Sequence, residues 1–381
     1  MKNVQKAIER HLNILEFTLA SLLRRKAKNL SLLAMYLLVV FMLASLQFFV
    51  TALKREAAII LDDAPDMVVQ RLMAGRQDLV PGSYASEIAL IKGVTAVRPR
   101  LWGYYYDALN GANYTIMASD DPTAVAERAS IGSGIARSRN LAVGDLLPLI
   151  SYDKNPIMLE IGTIFPSGSD LIAADLIMIT PEDFHKLFNF PSGQATDLAV
   201  TVHNPKELPT VAAKVASQLP DSRPILKSEI MRTYQSIFDW RGGMTLVILT
   251  TSLLSFIIFA WDKATGLSAE ERKEIGILKS IGWETSDVLL LKLWEGTVIS
   301  LTAFLLGVVL AYWHVFFLSA PLFAQALKGW SVIYPRFQLI PVVDAYQLTI
   351  LFFLTVVPYT TATVIPCWRA ATIDPDAAMR Y

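Results

Sequence analysis

Side chains able to carry acid–base or metal chemistry are few and scattered in this sequence. No HExxH run and no nucleophile-elbow sequence is present. Ser133 lies between two glycines, which we interpret as a loop, and Asp62 and Asp63 begin an Asp-Asp-Ala-Pro run typical of a solvated turn. The sequence therefore predicts no catalytic residue and no metal site. The histidines, none at a spacing typical of metal ligands, are His11, His185, His203 and His314.

Nucleotide and redox chemistry have no more support. The phosphate-binding sequence Gly-x-x-x-x-Gly-Lys-Ser/Thr does not occur, so if ATP is used, another subunit is expected to bind it. Cys367 is the only cysteine, which excludes an intrachain disulfide and a cysteine-based zinc site. Lysines plus arginines number 34 and aspartates plus glutamates 34, so the basic excess typical of nucleic-acid binding is missing.

Composition and apolar runs predict a membrane protein. The chain is 53% hydrophobic and 18% charged, whereas a soluble domain has about 25% charged residues. Runs of the length needed to cross a bilayer, about 20 helical residues, occur four times. The first is longer than a signal-peptide core, so we interpret it as an uncleaved anchor. The predicted membrane helices are 29–53, 242–262, 293–319 and 346–366.

The distribution of lysine and arginine predicts the orientation of these helices. Basic residues concentrate in residues 1–29 and 262–292, whereas the loop 320–345 offers only Lys328 and Arg336. By the positive-inside rule, both termini are cytoplasmic. The segment 263–292 and the tail 367–381 are then cytoplasmic as well, and 54–241 and 320–345 lie outside.

Residues 1–28 form a predicted amphipathic helix before the first membrane helix. Its apolar residues recur at spacings of three and four, and such a helix lies in the membrane interface. A soluble helix packed on a partner is the alternative. The apolar residues are Ile8, Leu12, Leu15, Leu19 and Leu22.

The long segment 54–241 is predicted to be an α+β domain with its own core. Strand-like runs occur at 93–109, 114–118, 157–165 and 197–202, and helical patterns at 83–91, 181–188 and 205–218. Asn110-Gly111 supplies a hairpin turn. Strand alternation places Trp102, Tyr104 and Tyr106 on one face, which is either core or a contact for a partner or substrate. The predicted fold class is thus an α-helical membrane protein with four transmembrane helices plus a large extracytoplasmic α+β domain.

The segment 263–292 carries the most informative motif. Residues 271–282 read Glu-Arg-Lys-Glu-Ile-Gly-Ile-Leu-Lys-Ser-Ile-Gly, a mixed-charge turn that leads into Ile275, Leu278 and Ile281 at spacings of three. This predicts a short helix with one apolar stripe, ended by Gly282. Such a helix docks in a groove of a soluble partner or lies on the lipid surface, and the pattern leaves both open.

This motif resembles the signature of the FtsX/MacB-like permeases of ABC systems. A second run, from Pro366 to Arg380, resembles the closing motif of the same family, with Cys367 where a small residue is usual. The order of elements also agrees, since an interfacial helix and one membrane helix precede a large outer domain and three further membrane helices. The chain is similar to the stand-alone permeases, which lack a fused ATPase domain.

The resemblance implies that the 271–282 segment contacts a separate ATPase, with Ile275, Ile277 and Leu278 as the docking face. It implies two permeases and two ATPases in the inner membrane of a bacterium, with ATP and magnesium bound by the ATPase and no cofactor bound by this chain. Glu295 is a candidate coupling residue at the membrane interface, although an ion pair with Lys292 is the simpler reading. The implied coupling residues are Glu271, Arg272, Lys273, Glu274, Ile275, Gly276, Ile277, Leu278, Lys279 and Gly282.

Two functions fit the resemblance. In the first, the chain relays the motion of the ATPase to its outer domain, by mechanotransmission, and exports or extracts a lipoprotein, lipid or peptide. In the second, it transports nothing and activates an extracytoplasmic partner such as a cell-wall hydrolase. A membrane-embedded enzyme, a third reading, would be active without ATP. Expected partners are the ATPase, an identical or different second permease, an adaptor, lipoprotein or hydrolase, and membrane lipids, but no nucleic acid.

The predicted orientation can be tested at Cys367. Its thiol is expected to react with a membrane-permeant maleimide but not with an impermeant one added outside intact cells, because the tail lies on the cytoplasmic side. A Cys367→Ser variant, which has no thiol left, reports the background. Labelling of intact cells by the impermeant reagent would overturn the topology.

Overall fold

The computed structural model describes residues 2–62, 64–166, 173–233, 250, 253–254, 257, 269–323, 333 and 339–371. The chain forms two compact units. The helical unit comprises Met1–Ala52, Asp239–Ala320 and Pro341–Tyr381, and the α/β unit comprises Leu53–Phe238 and Pro321–Ile340. Most of the predicted membrane helix 242–262 and the tail beyond residue 371 lie outside the described residues.

In the part of the chain that the structure describes, nine helices and thirteen strands have defined bounds, and residues 227–233 are helical as well. Short turns of 3-10 helix at Pro205–Glu207 and π-helix at Trp313–Phe317 accompany them. In chain order they are α1 (Lys2–Arg24), α2 (Lys26–Asp62), β1 (Met67–Met73), β2 (Arg76–Asp78), β3 (Val80–Pro81), α3 (Ser83–Ala89), β4 (Val94–Arg100), β5 (Trp102–Asp107), β6 (Ala112–Ala118), β7 (Arg128–Ile131), α4 (Ser133–Arg139), β8 (Leu146–Ile150), β9 (Pro156–Ile164), β10 (Leu176–Ile179), α5 (Pro181–Phe188), β11 (Gln194–Ala195), β12 (Asp197–Val202), α6 (Leu208–Gln218), β13 (Ser222–Leu226), α7 (Ala269–Ser280), α8 (Thr285–Tyr312) and α9 (Ala345–Ala371).

Two of the described helices are long and apolar enough to cross a membrane. They are Lys26–Glu56, within α2, and Thr285–Phe317, which is α8 with the π-helical turn. They correspond to the predicted membrane helices 29–53 and 293–319, but α8 begins earlier, inside the segment predicted to be cytoplasmic. The shorter apolar helix Ala345–Thr361 lies in α9, at the fourth predicted position.

Aromatic and small side chains pack the helical unit. The Tyr36 hydroxyl of α2 donates to the carbonyl of Thr355 in α9, and the ring of Tyr36 stacks on Tyr359 with centroids 5.3 Å apart. Gly307 and Ala311 of α8 are both buried inside the protein. A Cβ at Gly307 would lie 2.8 Å from Val40 Cγ1 of α2. Gly307 therefore lets α2 and α8 approach closely, as small residues do where membrane helices pack.

One half of the α/β unit is an antiparallel sheet of five strands. Its strands follow the order β13-β1-β12-β4, and β2 also pairs with β1. Ile88 of α3 and Val211 and Val215 of α6 cover this sheet and share its core with Met67 and Val200. Burying these aliphatic side chains supplies the main stabilisation, about 25 cal/mol for each Å² of apolar surface removed from water.

The other half is a mixed sheet of six strands in the order β5-β6-β10-β7-β9-β8, with Ile135 of α4 and Phe184 of α5 in its core. Ile150, at the end of β8, donates its backbone N–H to the Tyr105 hydroxyl of β5 at 2.8 Å. Because β5 and β8 are the two edge strands, this bond joins the first and last strands of the sheet. Such a side-chain bridge covers part of two edges that would otherwise expose backbone groups.

Most predicted elements of the α/β unit are confirmed, but one local reading is wrong. The helix predicted at 181–188 is α5, with Thr180 as the N-cap and Asn189 in the left-handed conformation that ends it. Ser133, predicted to lie in a loop, is instead the first residue of α4. Gly132 passes so close to the backbone of Ala173 and Ala174 that a Cβ would collide with their carbonyl groups. Gly132 thus allows two backbone segments to lie close together, because it has no Cβ.

The contact of α8 with α2 can be tested at Gly307. Replacing Gly307 by Ala puts a Cβ 2.8 Å from Val40 Cγ1 and 3.1 Å from the Phe41 backbone nitrogen, and we expect a loss of stability of about 1–3 kcal/mol from overpacking. The measurement is the thermal unfolding midpoint of the full chain in detergent. Leu305→Ala, at an exposed position of the same helix, is the matched control. Equal midpoints for the two variants would contradict the close approach.

Candidate coupling site

The predicted coupling helix is α7, and its end is built as expected at Gly282. This glycine has φ +102°, a conformation that favours glycine over other residues. Its N–H donates to the Lys279 carbonyl at 3.1 Å, and the N–H of Trp283 donates to the Leu278 carbonyl at 3.1 Å. These two bonds form a Schellman motif, and Trp283 packs near Leu278 in the accompanying apolar contact. The chain therefore reverses within a few residues and enters α8.

The apolar residues of α7 and of the turn that follows it differ in exposure. Ile275 and Leu278 are 4% and 6% exposed, whereas Ile277 and Ile281 are 47% and 69% exposed. Of the implied docking residues, Ile277 is thus exposed and Ile275 and Leu278 are buried within this protein, and docking at this segment stays a prediction. The apolar surface that α7 offers to another molecule consists of Ile277 and Ile281.

Leu278 belongs to a small core that joins three helices. It is buried together with Ile14 of α1 and Leu291 of α8, and Phe17 and Trp294 pack against them. The rings of Phe17 and Trp283 lie 5.3 Å apart. Thus α1 packs against α7 and α8 through one face, which the sequence did not predict.

The start of α8 is held by charge. The Asp287 carboxylate accepts the backbone N–H of Glu284 at 3.1 Å, one half of a capping box at the N-cap. Arg10 of α1 donates to the same carboxylate from Nε at 2.8 Å and to the Ser286 hydroxyl from Nη2 at 2.7 Å. A carboxylate in the first turn also complements the helix dipole.

A second ion pair holds α7. Arg25, the residue between α1 and α2, donates from Nη2 to Glu274 Oε2 at 2.5 Å, and both side chains are partly buried. Lys292 and Glu295 of α8 form a pair at 2.6 Å, so Glu295 takes part in the simple ion pair that its spacing predicts. Lys273 is exposed, whereas Gly276 is buried and Lys279 half-buried. The side chains of Glu271 and Arg272 lie outside the described residues.

The other face of α1 remains uncovered. Ile8, Leu12, Leu19 and Leu23 are all exposed, and Arg24, Lys26 and Lys28 follow at the junction with α2. This is the arrangement of a helix that lies in a membrane interface on one side and packs on protein on the other. Of the two interpretations of α1 that the sequence left open, the exposed face suits a membrane interface and the buried face suits packing on protein.

The aromatic residues of β5 separate into three environments. Tyr105 points into the sheet and stacks on Tyr114 at 6.3 Å, whereas Tyr104 and Tyr106 are 72% and 62% exposed. Trp102 lines a cleft of about 420 Å³ together with Val68, Met117, Ile225 and Ile230. The predicted shared face therefore has two members available for contact and one at the wall of a cleft.

An ion pair supports that cleft. The nearly fully buried Asp197 carboxylate accepts from Arg100 Nε at 2.7 Å, Arg100 Nη2 at 2.8 Å and Trp102 Nε1 at 3.0 Å. A bidentate arginine pair of this kind has strict geometry and orients the indole of Trp102.

Among the described residues, no group of three or more His, Cys, Asp or Glu side chains is arranged to hold a metal ion.

Comparison with known proteins places the coupling helix within a family. Residues 245–375 match the family described as FtsX-like permease C-terminal. This part of the chain is an FtsX-like permease domain. The resemblance indicated by the two sequence motifs is thereby confirmed, and the matched residues include α7, α8 and α9. No curated protein matches the chain.

Among solved structures, this chain is similar to the periplasmic region of MacB from Actinobacillus actinomycetemcomitans. The two share 8% sequence identity with a TM-score of 0.30, and the comparison covers 44% of this chain and 92% of that one. FtsX-like permeases are membrane proteins and non-catalytic transport subunits. Of the two long apolar helices among the described residues, Thr285–Phe317 lies within the matched part of the chain.

The turn that follows β5 depends on an ionised Asp107. Its buried carboxylate accepts from Asn110 Nδ2 at 2.6 Å, the Tyr114 hydroxyl at 2.7 Å and the Leu109 N–H at 3.0 Å. Burial by itself raises the pKa of Asp107, but these hydrogen bonds outweigh it and hold the pKa below its ordinary value. Because the folded pKa is depressed, the stabilisation is present above about pH 4 and is lost as pH falls through the folded pKa.

The lowered pKa of Asp107 predicts that replacing this residue changes the unfolding free energy in a pH-dependent way. Asp107→Asn is expected to lower the unfolding free energy by about 1–3 kcal/mol at pH 7, since it weakens bonds to a buried carboxylate. The difference from the parent should shrink as pH falls below about 4 and through the depressed folded pKa, where the carboxylate of the folded parent becomes protonated. Denaturant unfolding of the full chain at several pH values measures it, with Asp153→Asn, on an exposed turn, as control. A pH-independent difference would contradict the assignment.

Proposed function

We propose that this chain is the permease subunit of an ABC-type complex and that a separate ATPase docks on α7. The observation that carries the proposal is the position of α7 inside the FtsX-like permease domain, with Ile277 and Ile281 exposed on it. Exposed isoleucines on a short helix suit docking into a groove of a soluble partner. The permease then relays ATP-driven motion through its membrane helices to the α/β unit.

The packing of α7 supports this reading. Leu278 is packed against Ile14 and Leu291, and Glu274 is paired with Arg25, so the helix is held in place while Ile277 and Ile281 stay exposed. A rigid, pre-organised helix loses little conformational entropy when a partner binds it. Lys273, which is exposed, would lie at the rim of the contact.

The same proposal fixes the orientation of the chain. The segment with α7 and both termini face the cytoplasm, the chain is embedded in the inner membrane of a bacterium, and the α/β unit lies outside. ATP and magnesium are bound by the partner ATPase. A second permease, identical or different, completes the complex, as in the FtsX/MacB-like systems that the motifs resemble.

The α/β unit would handle the substrate, a lipoprotein, lipid or peptide. Its exposed Tyr104 and Tyr106 offer amphipathic rings to a partner, and the cleft beside Trp102 offers apolar walls. Mass spectrometry of everything that purifies with the tagged chain in mild detergent separates transport from regulation. A lipid, lipoprotein or adaptor supports transport, and a cell-wall hydrolase supports activation of an extracytoplasmic partner.

The docking proposal predicts the effect of a charge at Ile277. Ile277→Asp should weaken ATPase binding by about 2–4 kcal/mol, because a carboxylate would be buried at the centre of the contact without a partner. The measurement is pull-down of the ATPase by the tagged permease. Since Ile277 is 47% exposed in the chain alone, the substitution should leave its folding intact.

Leu90→Asp is the matched control, because it places the same charge at an exposed apolar position of the α/β unit. It is expected to retain the ATPase. Equal recovery of the ATPase with the Ile277 variant and with the parent chain would overturn docking at this face.

A further inference from the structure

We propose that α1 is a brace that fixes the coupling helix to the start of α2, with Arg10 and Arg25 as positioning residues. The proposal rests on the proposed function, because it concerns how motion imposed on α7 reaches the membrane helices. It adds a second route for that motion, since α7 is joined to α8 by the chain itself and to the start of α2 by the Arg25–Glu274 ion pair.

The brace begins with an apolar contact. Ile14 of α1 is buried with Leu278 of α7 and Leu291 of α8, and the Phe17 ring lies 5.3 Å from that of Trp283 at the turn between α7 and α8. A displacement of α7 away from α1 would expose these side chains to water. The contact therefore resists separation of the helices, but apolar contacts are not directional and do not by themselves fix the rotation of α7.

Two arginines supply the direction. Arg25 reaches Glu274, in the middle of α7, and Arg10 reaches Ser286 and Asp287, at the start of α8. The two ion pairs thus hold the hairpin formed by α7 and α8 at two separated points. Glu274, Ile277 and Ile281 follow one another at spacings of three and four, so the Arg25 pair fixes the rotation of the side of α7 that carries the two exposed isoleucines.

Arg25 also links α7 to the beginning of α2. It is the one residue between α1 and α2, and α2 contains the candidate membrane helix Lys26–Glu56. The Arg25–Glu274 pair therefore links α7 directly to the beginning of that helix. Without the pair, motion of α7 would reach α2 through the apolar contact with α1 and, by way of α8, through the packing of Gly307 on Val40, but not through a direct ion pair at the start of α2.

A charge swap tests this link. Arg25→Glu and Glu274→Arg each place like charges together, and the double variant restores an ion pair with opposite polarity. Arg25→Lys keeps the charge and guards against a variant that fails to fold. Each chain is purified with its ATPase, and the recovery of the ATPase is measured. Spin labels are placed at Val125→Cys and Leu318→Cys in a Cys367→Ala background. The second measurement is the change in the distance between these two labels when ATP is added.

Either single variant is expected to retain the ATPase to within about twofold of the parent and to lose roughly half or more of the ATP-dependent distance change, with recovery in the double variant. The same swap at Lys186 and Glu182, an exposed ion pair of α5 with a distance of 2.9 Å, should change neither quantity. Single variants that respond to ATP like the parent, or a double variant that does not recover, would overturn the brace. Failure of the parent itself to bind an ATPase or to respond to ATP would instead overturn the proposed function.

Discussion

Burial of Leu278 between α1 and α8 is the interaction on which the coupling site depends. A helix as short as α7 has little stability of its own, because helix nucleation is costly and tertiary packing supplies most of the stability of short helices. Packing Leu278 against Ile14 and Leu291, with the Schellman turn at Gly282, fixes both the position of α7 and the direction in which the chain leaves it. This packing covers Ile275 and Leu278 but leaves Ile277 and Ile281 exposed, although Ile281 lies one turn from Leu278 on the same stripe.

The same packing gives α1 two tasks. Its inner face meets the hairpin of α7 and α8 through Ile14 and Phe17, and its outer face keeps leucines and cations exposed beside the start of α2. In the proposed complex, α1 would then lie at the membrane surface and hold α7, the helix to which the ATPase binds. The α/β unit has a different construction, in which its two larger sheets each carry their own helices and core.

Sequence patterns predicted elements well where local rules decide. The bounds of α5 follow from Thr180, Pro181 and the helical spacing behind them, and the end of α7 follows from Gly282, because caps and left-handed glycines act within a few residues. The Gly-Ser-Gly run was misread as a loop for the opposite reason. Gly132 is required by the backbone of residues 173 and 174, which is distant in sequence, so no local pattern distinguishes it from a loop glycine.

By itself, the sequence determined the membrane-embedded class, the candidate helices α2 and α8, and the permease family, because hydrophobic length and a contiguous motif are properties of neighbouring residues. Only the tertiary structure decided which isoleucines at α7 stay exposed and with which acidic side chains Arg10 and Arg25 form ion pairs. Ile275, Leu278 and Ile281 share one spacing, yet the first two are buried and the third is exposed. The spacing of a helix states that it has an apolar face, whereas the helices packed around it determine how much of that face is already covered.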